Sequence, residues 1–495
     1  MRILIFHGYL LGGTGSNVYN ARLAPALVAL GHEVHLFSQD RHAQDHEFVD
    51  AVGDWDAGAL RVRVLPPARS ERGGPPSDPA GSRPDSEPPR PDFDSDRPVR
   101  CTVYRPNIGS LLPVYVMDRY EGMQARTFPQ CDERQVENYI GANVAAVREV
   151  TERVQPHLAL ANHLVMGPAI LARALAGTGV PYVVKVHGSA LEYTVKAHPE
   201  RFLGYAREGV AGAVAILVGS RHTAESLWQA LGDPQLPART RLGPPGVDVA
   251  RFRPRGERGQ AGDPLVAFVG KLIVNKGVDL LLAAWPLVLD REPRARLLLV
   301  GFGTDRGAFE RLLERLAGGE LEQAGDGARR HLSAFLGSLH GAERERYVRA
   351  ARALRERAIL TGRLEHEELA DVLPACEALI VPSTFPEAFG MVAAEGAACG
   401  ALPISAAHSG LAEVSGVLAR HVPPEAAAWL SFPVDDQAVR ALAERIVGWL
   451  GADPDLRART RAGIVAAVRE HWSWEGVARG LIAAASGELD ARPFG

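Results

Sequence analysis

Short, wholly apolar runs alternate along this chain with longer stretches in which apolar residues recur every three or four positions. The runs read as buried strands and the periodic stretches as helices packed against them. In the first half, Arg2 to Phe6, Glu33 to Phe37, Leu158 to Ala161, Tyr182 to Val186 and Ala213 to Val218 are expected strands. Helices are expected from Asn17 to Leu30, near Glu133 to Val154, near Gly167 to Ala176 and from about His222. Gly243-Pro244-Pro245-Gly246 breaks the alternation and Asp263-Pro264 restarts it. Leu265 to Val269, Ala295 to Val300, Ala358 to Thr361 and Ala378 to Val381 then follow as strands separated by helices. Repeated strand–helix units imply an α/β fold of parallel sheets with helices on both faces. The central break divides them into two Rossmann-like domains, 1–245 and 246–471. Ligands are expected in a cleft at the carboxyl ends of the strands.

Two segments fall outside this rhythm. Residues 66–98 are rich in Pro, Ser, Asp and Arg and hold too little apolar surface to order themselves, which predicts a flexible excursion. Residues 304–357 are longer than one crossover helix requires and predict extra helices. Within them, Arg344 to Arg357 reads as a basic amphipathic helix. A solvated face laced with ion pairs is the more frequent meaning of that pattern than membrane contact.

Composition narrows the function little. The 495 residues are 46% apolar and 23% charged, the balance of an ordinary soluble globule. A formal charge of −4 gives no reason to expect nucleic acid. Cys101, Cys131, Cys376 and Cys399 lie far apart with no CxxC pair, which fits a reducing cytoplasm better than a disulfide framework or a zinc site. The start, Met1-Arg2-Ile3-Leu4-Ile5-Phe6-His7-Gly8, turns polar too soon for a signal peptide, and no apolar run is long enough to span a bilayer. Peripheral contact at the inner membrane surface stays open.

The chemistry concentrates late in the chain. Leu379-Ile380-Val381 leads through a Pro-marked loop to Glu387, and Gly390 opens an Ala-rich helix carrying Glu395. N–H groups at a helix start lack intrahelical acceptors and sit at the positive end of its dipole, so those of Gly390, Met391 and Val392 suit phosphate. A Glu just before that start can accept sugar hydroxyls, and one further along the same face can accept ribose hydroxyls. Phosphate, ribose and hexose together describe a nucleotide sugar. Upstream, Lys271 and Lys276 share one strand-to-helix loop and can meet a diphosphate with charge and donors together. For the lysines alone, a solvated loop is an equally good reading.

These residues resemble glycosyltransferase family 4, retaining transferases with the GT-B fold. Gly270-Lys271-Leu272 with Lys276-Gly277 is similar to the family's donor-phosphate loop, and Val300-Gly301-Phe302-Gly303 to its glycine turn. Thr361 to Leu369 resembles the segment whose backbone holds the base, at Leu364. Pro386-Glu387-Ala388-Phe389-Gly390 through Glu395 resembles the spaced glutamate motif, followed by Gly410-Leu411-Ala412-Glu413-Val414. Lys271 stands where arginine is common, which keeps the charge and loses the bidentate fork. Ala412 stands where proline is usual.

The resemblance implies that His187 contacts the donor sugar, that Gly13 and Gly15 lie near the phosphate and acceptor, and that Phe389 joins the donor site. It also implies that 472–495 crosses back onto the first domain. The reaction implied moves a hexosyl group from a nucleoside diphosphate sugar to a hydroxyl acceptor with retention, and needs no metal. The acceptor (sugar, polyol phosphate, lipid or polysaccharide) and the base (uracil, guanine or adenine) stay open.

Two rivals remain. Gly13-Thr14-Gly15 with Asp40 is a partial dinucleotide fingerprint, which would make an NAD(P)-dependent oxidoreductase; Val18 stands where its third glycine belongs. A nucleotide-sugar-binding protein without turnover would share the same residues. Asp92-Phe93-Asp94-Ser95-Asp96 spells a metal-binding DxD but has no strand before it, and no HExxH pattern occurs.

Overall fold

The structure, a computed structural model, describes residues 1–13, 15–66, 98–116, 122–256, 262–325 and 329–488. The expected excursion at 66–98, apart from its edges, lies outside them, as do Asp92, Asp94 and Asp96. The packing divides into two compact units, Met1–Tyr182 with Glu208–Ala213, and Val183–Arg207 with Val214 onward. In the second unit the helix Arg221–Leu231 packs against Ser409–Ala419.

In the first unit β1 (Arg2–Phe6), β2 (Glu33–Phe37), β3 (Ala51–Asp56), β4 (Ala59–Val64), β5 (Cys101–Arg105) and β8 (Leu158–Asn162) lie in the order β8-β1-β2-β5-β3-β4. All these pairs are parallel except the β3–β4 hairpin. A separate pair joins β6 (Leu111–Val114) and β7 (Gln124–Thr127). The hairpin, β5 and this pair have no counterpart in the sequence expectations. Where β1 is expected, its apolar run is indeed fully buried from Ile3 to Phe6.

The second unit starts within β9 (Tyr182–Val186), which pairs with β10 (Ala215–Val218), itself paired with β11 (Thr240–Leu242). Its large sheet is wholly parallel, in the order β14 (Ala358–Gly362), β13 (Arg296–Val300), β12 (Leu265–Val269), β15 (Ala378–Val381), β16 (Leu402–Ala406), β17 (Ser431–Phe432). Registers such as Phe268 with Leu299 and Ile380 bring the carboxyl ends of these strands into one row. Helix Val278–Arg291 continues through Pro286 and is buried on most of its surface, including Trp285. The final helix, Trp474–Ser486, reaches back to β10, and a bridge joins Val247 to Ser473.

The expected helices of 304–357 are Arg306–Gly318, Leu321–Gly325, Arg330–Ser338, Gly341–Ala351 and Leu354–Arg357. Helix Gly341–Ala351 buries Tyr347, whose hydroxyl donates to the Ala283 carbonyl at 2.9 Å. Its neighbouring arginines are paired, Arg344 with Glu322, Arg355 with Glu314 and Arg357 with Asp263. This is the ion-paired face rather than a free basic one. Among the described residues, no helix is long and apolar enough to cross a membrane.

Candidate functional site

Five neighbouring strand ends of the second unit carry the candidate residues. After β14 come Leu364 and His366. After β13 comes the turn Gly301-Phe302-Gly303. After β12 come Lys271 and Lys276, after β15 Ser383 and Glu387, and after β16 His408 and Ser409. The loops after β12 and β15 touch along their backbones. The Thr384 N–H donates to the Asn275 carbonyl at 2.9 Å. Gly277 has φ +72°, and a Cβ there would stand 1.9 Å from the Pro382 carbonyl oxygen. Only glycine lets these two loops approach so closely.

That approach sets Lys276 Nζ against Glu387 Oε1 in an ion pair, both side chains about a quarter to a third exposed. The Ser383 hydroxyl donates to the same oxygen at 2.6 Å. The Glu387 backbone is held too: its N–H donates to Ser409 Oγ at 2.9 Å, and its carbonyl accepts from the Gly410 N–H at 2.9 Å. His408 completes the frame, with Nε2 2.8 Å from the Ser383 carbonyl and Nδ1 3.0 Å from Ser409 Oγ. Ser409 has φ +51°, an uncommon conformation for a side-chain-bearing residue.

Helix Met391–Ala398 opens at Gly390, in the left-handed region at φ +104°. Its first N–H groups lack intrahelical acceptors and follow directly on the loop that carries Glu387. Glu395, one turn in, is 5% exposed, and its Oε1 lies 2.9 Å from His366 Nε2. The contact joins this helix to the segment carrying Leu364. His366 Nδ1 is buried without a partner, so the ring donates from Nε2 to the carboxylate. The Phe252 ring packs on His366 at 4.7 Å.

His187 follows β9 and is half-buried. The next residue, Gly188, faces Ala388: a Cβ at 188 would meet that of Ala388 at 3.0 Å. Gly219 and Gly410 close on the same peptide: a Cβ on Gly219 would lie 2.8 Å from the Ala388 carbonyl oxygen, and one on Gly410 2.7 Å from its carbonyl carbon. The β9 end and the glutamate loop are thus brought together. Two residues before His187, burial lowers the Lys185 pKa to about 7, and its ammonium donates to the Gly243 carbonyl.

Two expected positions differ in detail. The Phe389 side chain is 7% exposed and packs edge-on against Trp472 at 5.4 Å, so it offers a ligand only its backbone. Gly13 and Gly15 belong to the first unit, where Gly15 precedes helix Ser16–Ala29 and both have positive φ. In that unit the Asp40 carboxylate accepts from the N–H groups of Leu11 and His42, each at 2.8 Å. It is engaged in the turn rather than turned towards a ribose, which removes the main support for the oxidoreductase.

His366, Ser383, His408 and Ser409 were not among the sequence-predicted residues. Polar residues directly after strands mark them in retrospect. The helical segment before β14 also reaches this site. Arg329 pairs through its guanidinium with buried Asp279 and donates to Thr384 Oγ1. Further on, the Glu413 carboxylate accepts from the N–H groups of Arg221 and His222, at 2.7 and 2.9 Å, capping helix Arg221–Leu231.

Family models agree with this arrangement. Residues 252–446 match the model described as glycosyl transferases group 1, and residues 14–246 match the glycosyl transferase 4-like domain. The chain belongs to glycosyltransferase family 4. A curated relative, the D-inositol 3-phosphate glycosyltransferase of Segniliparus rotundus, is 32% identical over 252 residues, 48% of this chain and 45% of the relative. The chain spans about half the length of the curated relatives it matches. Among solved structures, sucrose-phosphate synthase from Thermosynechococcus elongatus is similar with TM-score 0.60 at 19% identity, covering 99% of each chain. HepE from Anabaena, in complex with UDP, is similar with TM-score 0.57 at 16% identity, covering 99% of this chain and 100% of that one. These likenesses establish the GT-B fold.

Proposed function

We propose that this family 4 protein transfers a hexosyl group from a nucleoside diphosphate sugar to a hydroxyl acceptor, with retention and without a metal at the donor site. The observation that carries the reading is the Lys276–Glu387 pair on the adjacent ends of β12 and β15, in the same row of strand ends as the Gly390 helix start and the Glu395–His366 contact. Cation, N–H groups and two carboxylates there match phosphate, hexose and ribose in order.

In this reading Lys271, Lys276 and the N–H groups of Gly390, Met391 and Val392 stabilise the charge that grows on the leaving diphosphate. Glu387 and His187 orient the hexose, Glu395 holds the ribose and the Leu364 backbone holds the base. The leaving phosphate takes the acceptor proton, so no separate base is needed. The Segniliparus relative's name makes a polyol phosphate the first acceptor to try, and the UDP complex of HepE makes UDP the first nucleotide. Four buried free cysteines support a reducing compartment, the cytoplasm.

A thermal-shift panel of UDP, GDP, ADP, their sugar conjugates, NAD and NADP, without added metal, tests the proposal. A ligand at about 100 Kd adds roughly 2.7 kcal/mol of apparent stability. Stabilisation by one nucleoside diphosphate and its sugar is expected. Stabilisation by NAD or NADP alone would overturn the reading.

A further inference from the structure

Far from any motif, two histidine rings face each other. His421 follows helix Ser409–Ala419, and His471 ends helix Pro454–His471. Their Nε2 atoms are 3.1 Å apart, with the ring planes at 75°. Glu470 Oε1 lies 3.7 Å from His471 Nε2, and one ligand atom from each of the three residues falls within 4.8 Å of the others. Two neutral imidazoles can hold such a distance by one hydrogen bond. They also hold it around a shared cation: at metal–nitrogen bonds of about 2.0–2.1 Å, tetrahedral ligands stand roughly 3.3 Å apart.

The backbone fixes this geometry before any ion arrives. A Cβ on Gly463 would lie 2.0 Å from the His421 carbonyl oxygen, so helix Pro454–His471 and the turn at His421 meet backbone to backbone. Burial lowers the His471 pKa; Glu470 pulls it back up, while His421 and Arg420 push it further down. Arg420 opposes an added charge here.

We propose that His421, Glu470 and His471 bind one divalent transition-metal ion of the zinc class, with water completing the coordination. Two nitrogens and one carboxylate suit a borderline ion better than magnesium or calcium, which take oxygen ligands. The ion would staple the end of one helix to the end of another, one residue before Trp472. That tryptophan packs on Phe389 and accepts the Val247 N–H at 2.6 Å. The site would thus steady the segment that leads into the last helix. It is independent of the sugar-transfer reading.

The test uses the whole chain, stripped of metal and titrated with Co²⁺ and then Zn²⁺. Expected are about one ion per chain, visible ligand-field bands for bound Co²⁺ that Zn²⁺ abolishes, and a higher melting temperature with Zn²⁺. Either His421→Ala or His471→Ala should weaken binding at least about tenfold, and Glu470→Gln less. Both histidine sites are at least partly exposed, so the variants should fold, which the metal-free melting temperature checks. Unchanged stoichiometric binding in the double histidine variant would overturn the proposal, as would the absence of Co²⁺ bands in the wild type. Magnesium serves as the control and should displace neither ion.

Discussion

Removing the Lys276 ammonium separates a catalytic cation from a structural counter-ion. In the free protein it pairs with Glu387, and both side chains keep roughly a quarter to a third of their surface in water. Solvent screening limits such a pair to about 1 kcal/mol or less of folding stability. Glu387 also keeps the Ser383 hydroxyl, so it is not stranded when the lysine goes. Against a diphosphate in a desolvated site, the same ammonium makes a charge-assisted bond that strengthens as the phosphate leaves. Its loss should cost about 2–4 kcal/mol of transition-state stabilisation, a fall in kcat/KM of roughly 30- to 1,000-fold. Lys276→Ala is therefore expected to melt within a few degrees of the wild type while losing most of its turnover. The assay is nucleoside diphosphate release from the donor found by thermal shift, alongside urea denaturation. Lys276→Arg, which keeps charge on a different geometry, should fall between them. A folded Lys276→Ala protein with unchanged turnover would remove the residue from the mechanism. A large stability loss with proportionate inactivation would make it structural.

Glu395→Ala should weaken nucleoside diphosphate binding by about tenfold or more, and His366→Ala by less, with the double variant no worse than Glu395→Ala; additive losses measured by calorimetry would break the proposed coupling. Gly277→Ala should impair donor binding more than any neighbouring loop substitution, because its Cβ cannot share space with the Pro382 carbonyl; wild-type affinity would contradict the close approach. Burial lowers the His7 pKa to about 4, against the raising effects of the Leu10 carbonyl, Asn17 and Asp40. An unfolded histidine protonates near pH 6.5, so this contribution is complete above that pH and lost as pH falls towards 4, by up to about 3 kcal/mol. Urea midpoints across that range should fall in the wild type and fall less in a folded His7→Asn variant.

Much of the fold is legible in the sequence. Strands such as Arg2–Phe6, Tyr182–Val186, Leu265–Val269 and Ala378–Val381 stood out because both faces are buried and the run is unbroken. β3 and β4 did not, since β4 is exposed at most positions and carries arginines within its apolar pattern. β16, Leu402–Ala406, was hidden by Pro403 and by flanking alanines that read equally well as helix. The Lys276 and Glu387 loops were visible as motifs. Their partners Ser409 and His366 were not, because small polar residues and a lone histidine acquire meaning only when the strand ends align.

The arginine at 329 bears on how freely pieces of this protein can be exchanged. It belongs to a helical segment that looks like a surface addition, a natural candidate for deletion or for grafting from a relative. Yet its guanidinium is the counter-charge of Asp279, itself 5% exposed, and it grips Thr384 beside the glutamate loop. Cutting the segment out strands a buried carboxylate, a loss of about 3–5 kcal/mol when one partner of a buried pair goes. A chimera that imports another segment must bring a cation to the same place or exchange Asp279 as well. The unit of modular exchange is therefore the segment together with helix Val278–Arg291, and designs that respect only the apparent boundary of the insertion will damage a loop they never touched.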